Sequence, residues 1–145
     1  MGLIIENRSG VEIYVTRNLE RKEYYEKAKN YLINPIQKII TINRNEAIFD
    51  RFIAGETALS EIATLNPPGI GECAIYKGDE AVDQLCEVDS RYEEWVDCLK
   101  VQLWKYNPSY FAKDGVVDPV SLICTFKDNA DERIEMSIDE LLEEL

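Results

Sequence analysis

The segment from Phe52 to Gly69 constrains this chain more than any other. Phe52-Ile53-Ala54 is a short apolar run that stops at Gly55. A helical period follows, with Ala58, Ile62 and Leu65 on one stripe and Leu59 and Ala63 beside it. Asn66-Pro67-Pro68-Gly69 ends that helix, because proline lacks an amide hydrogen and disfavours helical geometry in the residue before it. Ile70 to Tyr76 reads as a second extended run. A helix that is apolar around most of its circumference has to be buried. The sequence therefore predicts a strand–helix–strand unit at the core, with the rest of the chain layered on it.

Leu3-Ile4-Ile5 and Val11 to Thr16 flank Asn7-Arg8-Ser9-Gly10, a hairpin pattern. Asn18 is placed to cap a helix from Leu19 to Ile33, with Tyr24, Tyr25, Ala28, Tyr31 and Leu32 on its apolar stripe. Asn34-Pro35 stops it, and Ile36 to Ile42, rich in β-branched residues, predicts a strand. Lys77-Gly78 turns the chain into a short acidic helix from Asp79 to Cys86, and Glu87 to Glu94 reads as a polar loop. Leu99, Val101 and Leu103 alternate with Lys100, Gln102 and Trp104, which predicts a strand with one face wetter than the other.

Asp118-Pro119 is a helix start: the aspartate accepts orphan amide hydrogens, and proline's missing N–H is not needed in the first turn. The helix Pro119 to Lys127 carries Val120, Leu122, Ile123, Cys124 and Phe126 and is expected to be buried. The last helix, Asp131 to Leu145, places Ile134, Ile138, Leu141, Leu142 and Leu145 on one face. Strands alternate irregularly with helices, and no repeated βαβ unit appears. The expected fold class is α+β, with a mixed, mainly antiparallel sheet of about five strands, packed helices and two consecutive C-terminal helices. A single domain is expected to span residues 1–145, with Ile62, Leu103, Leu122 and Ile138 nearly inaccessible.

Charge narrows the partners. Of the formal net −12, residues 1–50 contribute +1 (eight Lys/Arg, seven Asp/Glu) and residues 51–145 contribute −13 (eight against twenty-one). A phosphate backbone binds by giving up counterions to Lys and Arg, so the acidic half is not expected to bind nucleic acid directly. Its surface suits a basic protein partner, or simply solvates helix faces. No apolar run approaches the roughly 18 residues that span a bilayer. No secretory-signal pattern opens the chain, and Cys73, Cys86, Cys98 and Cys124 form no CxxC pair; reduced thiols and a cytoplasmic location are expected.

The chain contains no histidine, so a serine or cysteine nucleophile would lack its usual base. Glu93-Glu94 and Glu143-Glu144 are neighbours on polar faces, whereas metal and glycosidase sites need carboxylates converging from separate elements. Gly69-Ile70-Gly71-Glu72 follows a helix and so cannot aim helix amides at a phosphate. Glu20-Arg21-Lys22 has the acid-x-lysine spacing of some nucleases without their matching Pro-Asp, and Asp128 to Glu132 lacks the central glycine of a calcium loop. No catalytic, metal-ligating or cofactor-binding residue is assigned. The alternative is a small enzyme or ligand-binding domain, whose carboxylate-containing pocket would lie between Tyr24, Tyr31 and the Trp95–Trp104 region.

Gly55-Glu56-Thr57-Ala58-Leu59-Ser60-Glu61, with an apolar strand before it and a Pro-containing loop and Ala74-Ile75-Tyr76 after it, resembles a Gly-x-Ser/Thr-Ala-Leu segment. That segment occurs in the C-terminal part of bacterial abortive-infection antitoxins and similar winged-helix transcriptional regulators. Those proteins also carry an N-terminal winged helix, and no basic recognition-helix pattern is present here. The resemblance implies the effector or interaction half of a longer protein, with no catalytic residue.

The expected function is thus a non-enzymatic regulatory or protein-interaction domain. Residues 128–145 hold eight acids against Arg133, and Glu135, Asp139, Glu140 and Glu143 are the expected partner-binding residues. Like charges four residues apart destabilise a helix by a few tenths of a kcal/mol per pair. The last helix is therefore expected to depend on docking its Ile134–Ile138–Leu142 stripe, which leaves the acids facing outward.

Overall fold

The computed structural model describes residues 22–145; the hairpin expected within residues 3–16 and the Asn18 cap lie outside them. Residues 22–28 are helical (α1), continued by a 3-10 turn over Lys29–Tyr31. Strands β1 (Ile36–Asn43), β2 (Phe52–Ile53), β3 (Gly71–Tyr76) and β4 (Cys98–Trp104) form one sheet in the order β1-β4-β3-β2. Helices α2 (Gly55–Ile62), α3 (Pro119–Thr125) and α4 (Glu132–Glu144) complete the α+β fold. Among the described residues the sheet has four strands where about five were expected. It is mixed: β1–β4 and β2–β3 are antiparallel, and β3–β4 is parallel.

The predicted strand–helix–strand unit is present, with β2 paired to β3 and α2, which links them, packed against β3. Side chains alternate across a strand, so β1, β3 and β4 each feed two cores. On one face Ala74 and Trp104 meet α2, α3 and α4 through Leu59, Leu122, Ile138 and Leu142. On the other, Ile40, Ile42, Cys73, Ile75, Val101 and Leu103 are covered by Ala47, Phe49, Val82 and Leu85 from irregular segments. Both sheet edges are met by other parts of the chain. The Val88 N–H donates to Thr41 O at 2.8 Å beside β1, and Ile53 exchanges backbone bonds with Gly115 and Val117 beside β2.

Several expectations need correction. β4 has no wet face: Gln102 is 4% and Trp104 0% exposed, because the helical layer covers their side of this central strand. Leu103, Leu122 and Ile138 are buried as expected, but Ile62 is half-buried, since α2 ends there with Ala63 already extended. Val120 is exposed on α3. The acidic helix expected from Asp79 to Cys86 is a 3-10 turn, Glu80–Gln84, capped by Asp79, and part of the expected polar loop is a second one, Ser90–Trp95.

The local start signals hold, whereas α2 stops at Ile62, ahead of the expected Asn66-Pro67-Pro68-Gly69 stop, and α3 at Thr125, short of Lys127. Asp118 Oδ2 accepts the Ser121 N–H at 2.9 Å to open α3, and Asp131 Oδ1 accepts the Arg133 N–H at 2.8 Å to open α4. α4 buries Ile134, Ser137, Ile138, Leu141 and Leu142. Burying a large aliphatic side chain is worth roughly 1.5–3 kcal/mol. Four such residues outweigh like-charge repulsion of a few tenths per pair, so docking decides that this helix forms. Among the described residues no helix is long and apolar enough to cross a membrane.

Candidate functional site

Helix α2 begins without a capping side chain of its own, because the preceding residue is Ala54. The acceptor comes from β3. Glu72 Oε2 accepts the Glu56 N–H at 2.6 Å, and the Glu72 N–H donates to Thr57 Oγ1 at 3.0 Å. Gly55 makes this possible: it has φ +60°, and a Cβ there would lie 1.6 Å from Glu72 Oε2. Lys100 stands beside Glu72 in the parallel register, and Gln102 is the next β4 residue on that face. Gln102 Oε1 in turn accepts the Trp104 Nε1–H at 2.9 Å, which satisfies the indole inside the core.

Burial pushes the Glu72 carboxyl above the ordinary carboxylate range; the Glu56 amide opposes this, the Glu56 charge adds to it, and Lys100 opposes it. The carboxylate is anchored to the first turn of α2, where a negative group meets orphan amides and the helix dipole. Chemically this junction holds a helix start and one displaced proton equilibrium. Elsewhere burial pushes the Tyr25 hydroxyl and the Cys73 thiol up to about 12. Tyr106 shares a hydrogen bond with Ser121, and Asp118 Oδ1 is buried without a partner among the described residues. Among those residues no group of three or more Cys, Asp or Glu side chains is placed to hold a metal ion.

The expected aromatic pocket is not assembled as the sequence suggested. Trp104 is sealed in the core, whereas Tyr31 and Trp95 are among the most exposed large side chains. The acidic residues of α4 divide into two groups. Asp139 pairs with Lys22 Nζ at 3.0 Å, and its hydrogen bond raises the lysine's pKa. Glu140 Oε2 accepts the Thr64 N–H at 2.9 Å, and Ser137 Oγ donates to Thr64 O at 3.3 Å, so this helix pins the loop after α2. Glu135 and Glu143 lie on the exposed surface.

Sequence reasoning passed over Glu72 and Met136. Ala54 at a helix start was the signal for the first, since a cap missing locally has to come from elsewhere. Met136 lies outside the apolar stripe of α4 and is 69% exposed. No protein family, curated protein or solved structure matches this chain.

Proposed function

We propose that the chain is a non-enzymatic regulatory domain that binds a basic protein through the outward face of α4. The observation carrying this reading is the make-up of that face. Exposed Met136 sits with Glu132 and Glu140 one helical turn to either side and the exposed Glu135 next to it. Methionine adapts its shape to a partner surface, and surrounding carboxylates steer cations toward it. Asp139 and Glu140 already serve the chain itself through Lys22 and Thr64, so Glu132 and Glu135 are the charges offered to a partner in this reading. The resemblance of Gly55–Glu61 to antitoxin-type regulators supports the regulatory, bacterial setting, and four free cysteines support a reducing cytoplasmic one.

Purification from the native host tests the proposal. The expected product is a stoichiometric complex with a basic protein, whose association slows as salt shortens the screening length from about 8 Å. Glu132→Gln combined with Glu135→Gln weakens that association, while the melting temperature falls only slightly because both acids also lie in the first turn of α4, where the helix dipole favours negative charge. A partner bound equally by wild type and this variant refutes the reading, as does turnover of a small substrate by the pure chain.

A further inference from the structure

The turn that feeds β4 carries an exposed aromatic pair. Ser90–Trp95 is a 3-10 turn opened by Asp89, whose side chain accepts the Arg91 N–H. Side chains three apart eclipse in 3-10 geometry, so Tyr92 and Trp95 fall in line on one side. Tyr92 is 53% and Trp95 82% exposed, although the chain's other tryptophan is fully buried. The turn is pinned at both ends. Arg91 Nη2 meets Asp89 Oδ2 at 2.8 Å, and Arg44 Nε meets Asp97 Oδ1 at 3.3 Å. Cys98 Sγ also donates to Glu93 O at 3.6 Å. A ridge held this way loses little conformational freedom when something docks on it.

Charge states what docks. Residues 79–97 hold eight acids against one base, a net of −7. Arg91, Arg44 and Lys38 are engaged by Asp89, Asp97 and Glu87. Glu93 and Glu94, between the two rings in sequence and turned about 120° to either side of their line, face no ion-pair partner among the described residues. This field repels nucleic acid and anionic lipid, so the rings are not a base-stacking platform or a membrane anchor. A symmetric dimer through the ridge would set −7 against −7. Cationic protein is what remains, and the guanidinium of Arg91 already lies 5.5 Å over the Tyr92 ring.

We propose that Tyr92, Glu93, Glu94 and Trp95 form a docking ridge for an arginine-bearing segment of another protein. A guanidinium stacks on the indole face of Trp95 while its N–H groups donate to the flanking carboxylates. The proposal shares the basic-partner premise of the reading above but places the contact on a different surface.

A labelled oligoarginine peptide, titrated into the full chain at low salt and followed by anisotropy, tests it. Expected are binding, protection of tryptophan emission from acrylamide, and affinity roughly tenfold lower in Trp95→Ala. Trp95→Phe retains most of the binding, and Glu93→Gln with Glu94→Gln loses it as Trp95→Ala does. Oligolysine binding as tightly as oligoarginine overturns the stacking, and a wild-type dimer dissolved by Trp95→Ala overturns the choice of partner. Affinity unchanged in Trp95→Ala but lost in the Glu132→Gln/Glu135→Gln variant overturns the ridge and leaves the α4 reading standing. No binding of oligoarginine by wild type overturns both.

Discussion

Replacing Gly55 with alanine tests the junction between α2 and β3. The new Cβ would lie 1.6 Å from Glu72 Oε2 and 2.6 Å from its Cδ, so the carboxylate has to leave its place beneath the Glu56 amide. Two losses follow. An L-residue held at φ +60° carries left-handed strain of about 1–2 kcal/mol. Losing the cap removes about 1 kcal/mol more, with a range of about 0.5–2. The expected destabilisation is roughly 2–4 kcal/mol, a large part of the about 5–15 kcal/mol that holds a domain together. Urea denaturation of Gly55→Ala, Glu72→Ala and the double variant reads it. With the carboxylate already removed, the nearest atom left to the added methyl is Gln102 Nε2 at 3.1 Å, so the strain of about 1–2 kcal/mol and that one tight contact remain while the steric loss of the cap does not. The two substitutions are therefore strongly non-additive. A loss below about 1 kcal/mol for Gly55→Ala, or additivity within about 0.5 kcal/mol, refutes the reasoning.

Two further outcomes are expected. Burial raises the folded-state pKa of Glu72 above its unfolded value, so the folded state holds that proton more tightly. Its contribution to stability is full below the unfolded pKa and is lost as pH rises through the raised folded value. Glu72→Gln should flatten this fall in denaturant midpoints measured just above the ordinary carboxylate range; an unchanged pH profile contradicts the assignment. In native protein a thiol reagent should modify exposed Cys86 first, with buried Cys73, Cys98 and Cys124 reacting only on unfolding. Fast reaction of a second thiol in a stopped-flow trace would show that the core is more open than described.

The sequence by itself determined the elements whose causes are local. Asp118-Pro119 opens α3 and Asp131 opens α4 because a cap needs only an acceptor within about three residues of the amide it serves. Asn66-Pro67-Pro68-Gly69 separates α2 from β3, although α2 itself stops at Ile62. The α4 stripe is periodic, so its buried face was legible, and with it the acidic outward side.

What only the tertiary structure decided are the relations between elements far apart in sequence. Pairing β3 in parallel with β4, between β1 and β2, puts β4 inside the sheet, which buries Trp104 and Gln102 and defeats the two-faced reading of that strand. The same pairing sets Glu72 on the face where α2 begins, supplying the cap that Ala54 lacks. It is the packing of α4 against α1 and the loop after α2 that assigns Asp139 to Lys22 and Glu140 to Thr64. Two tryptophans nine residues apart in one chain, Trp95 and Trp104, end up with opposite exposures. Composition and period cannot separate them, because the burial of a side chain depends on what lies across from it, and that is fixed only when distant segments close on one another.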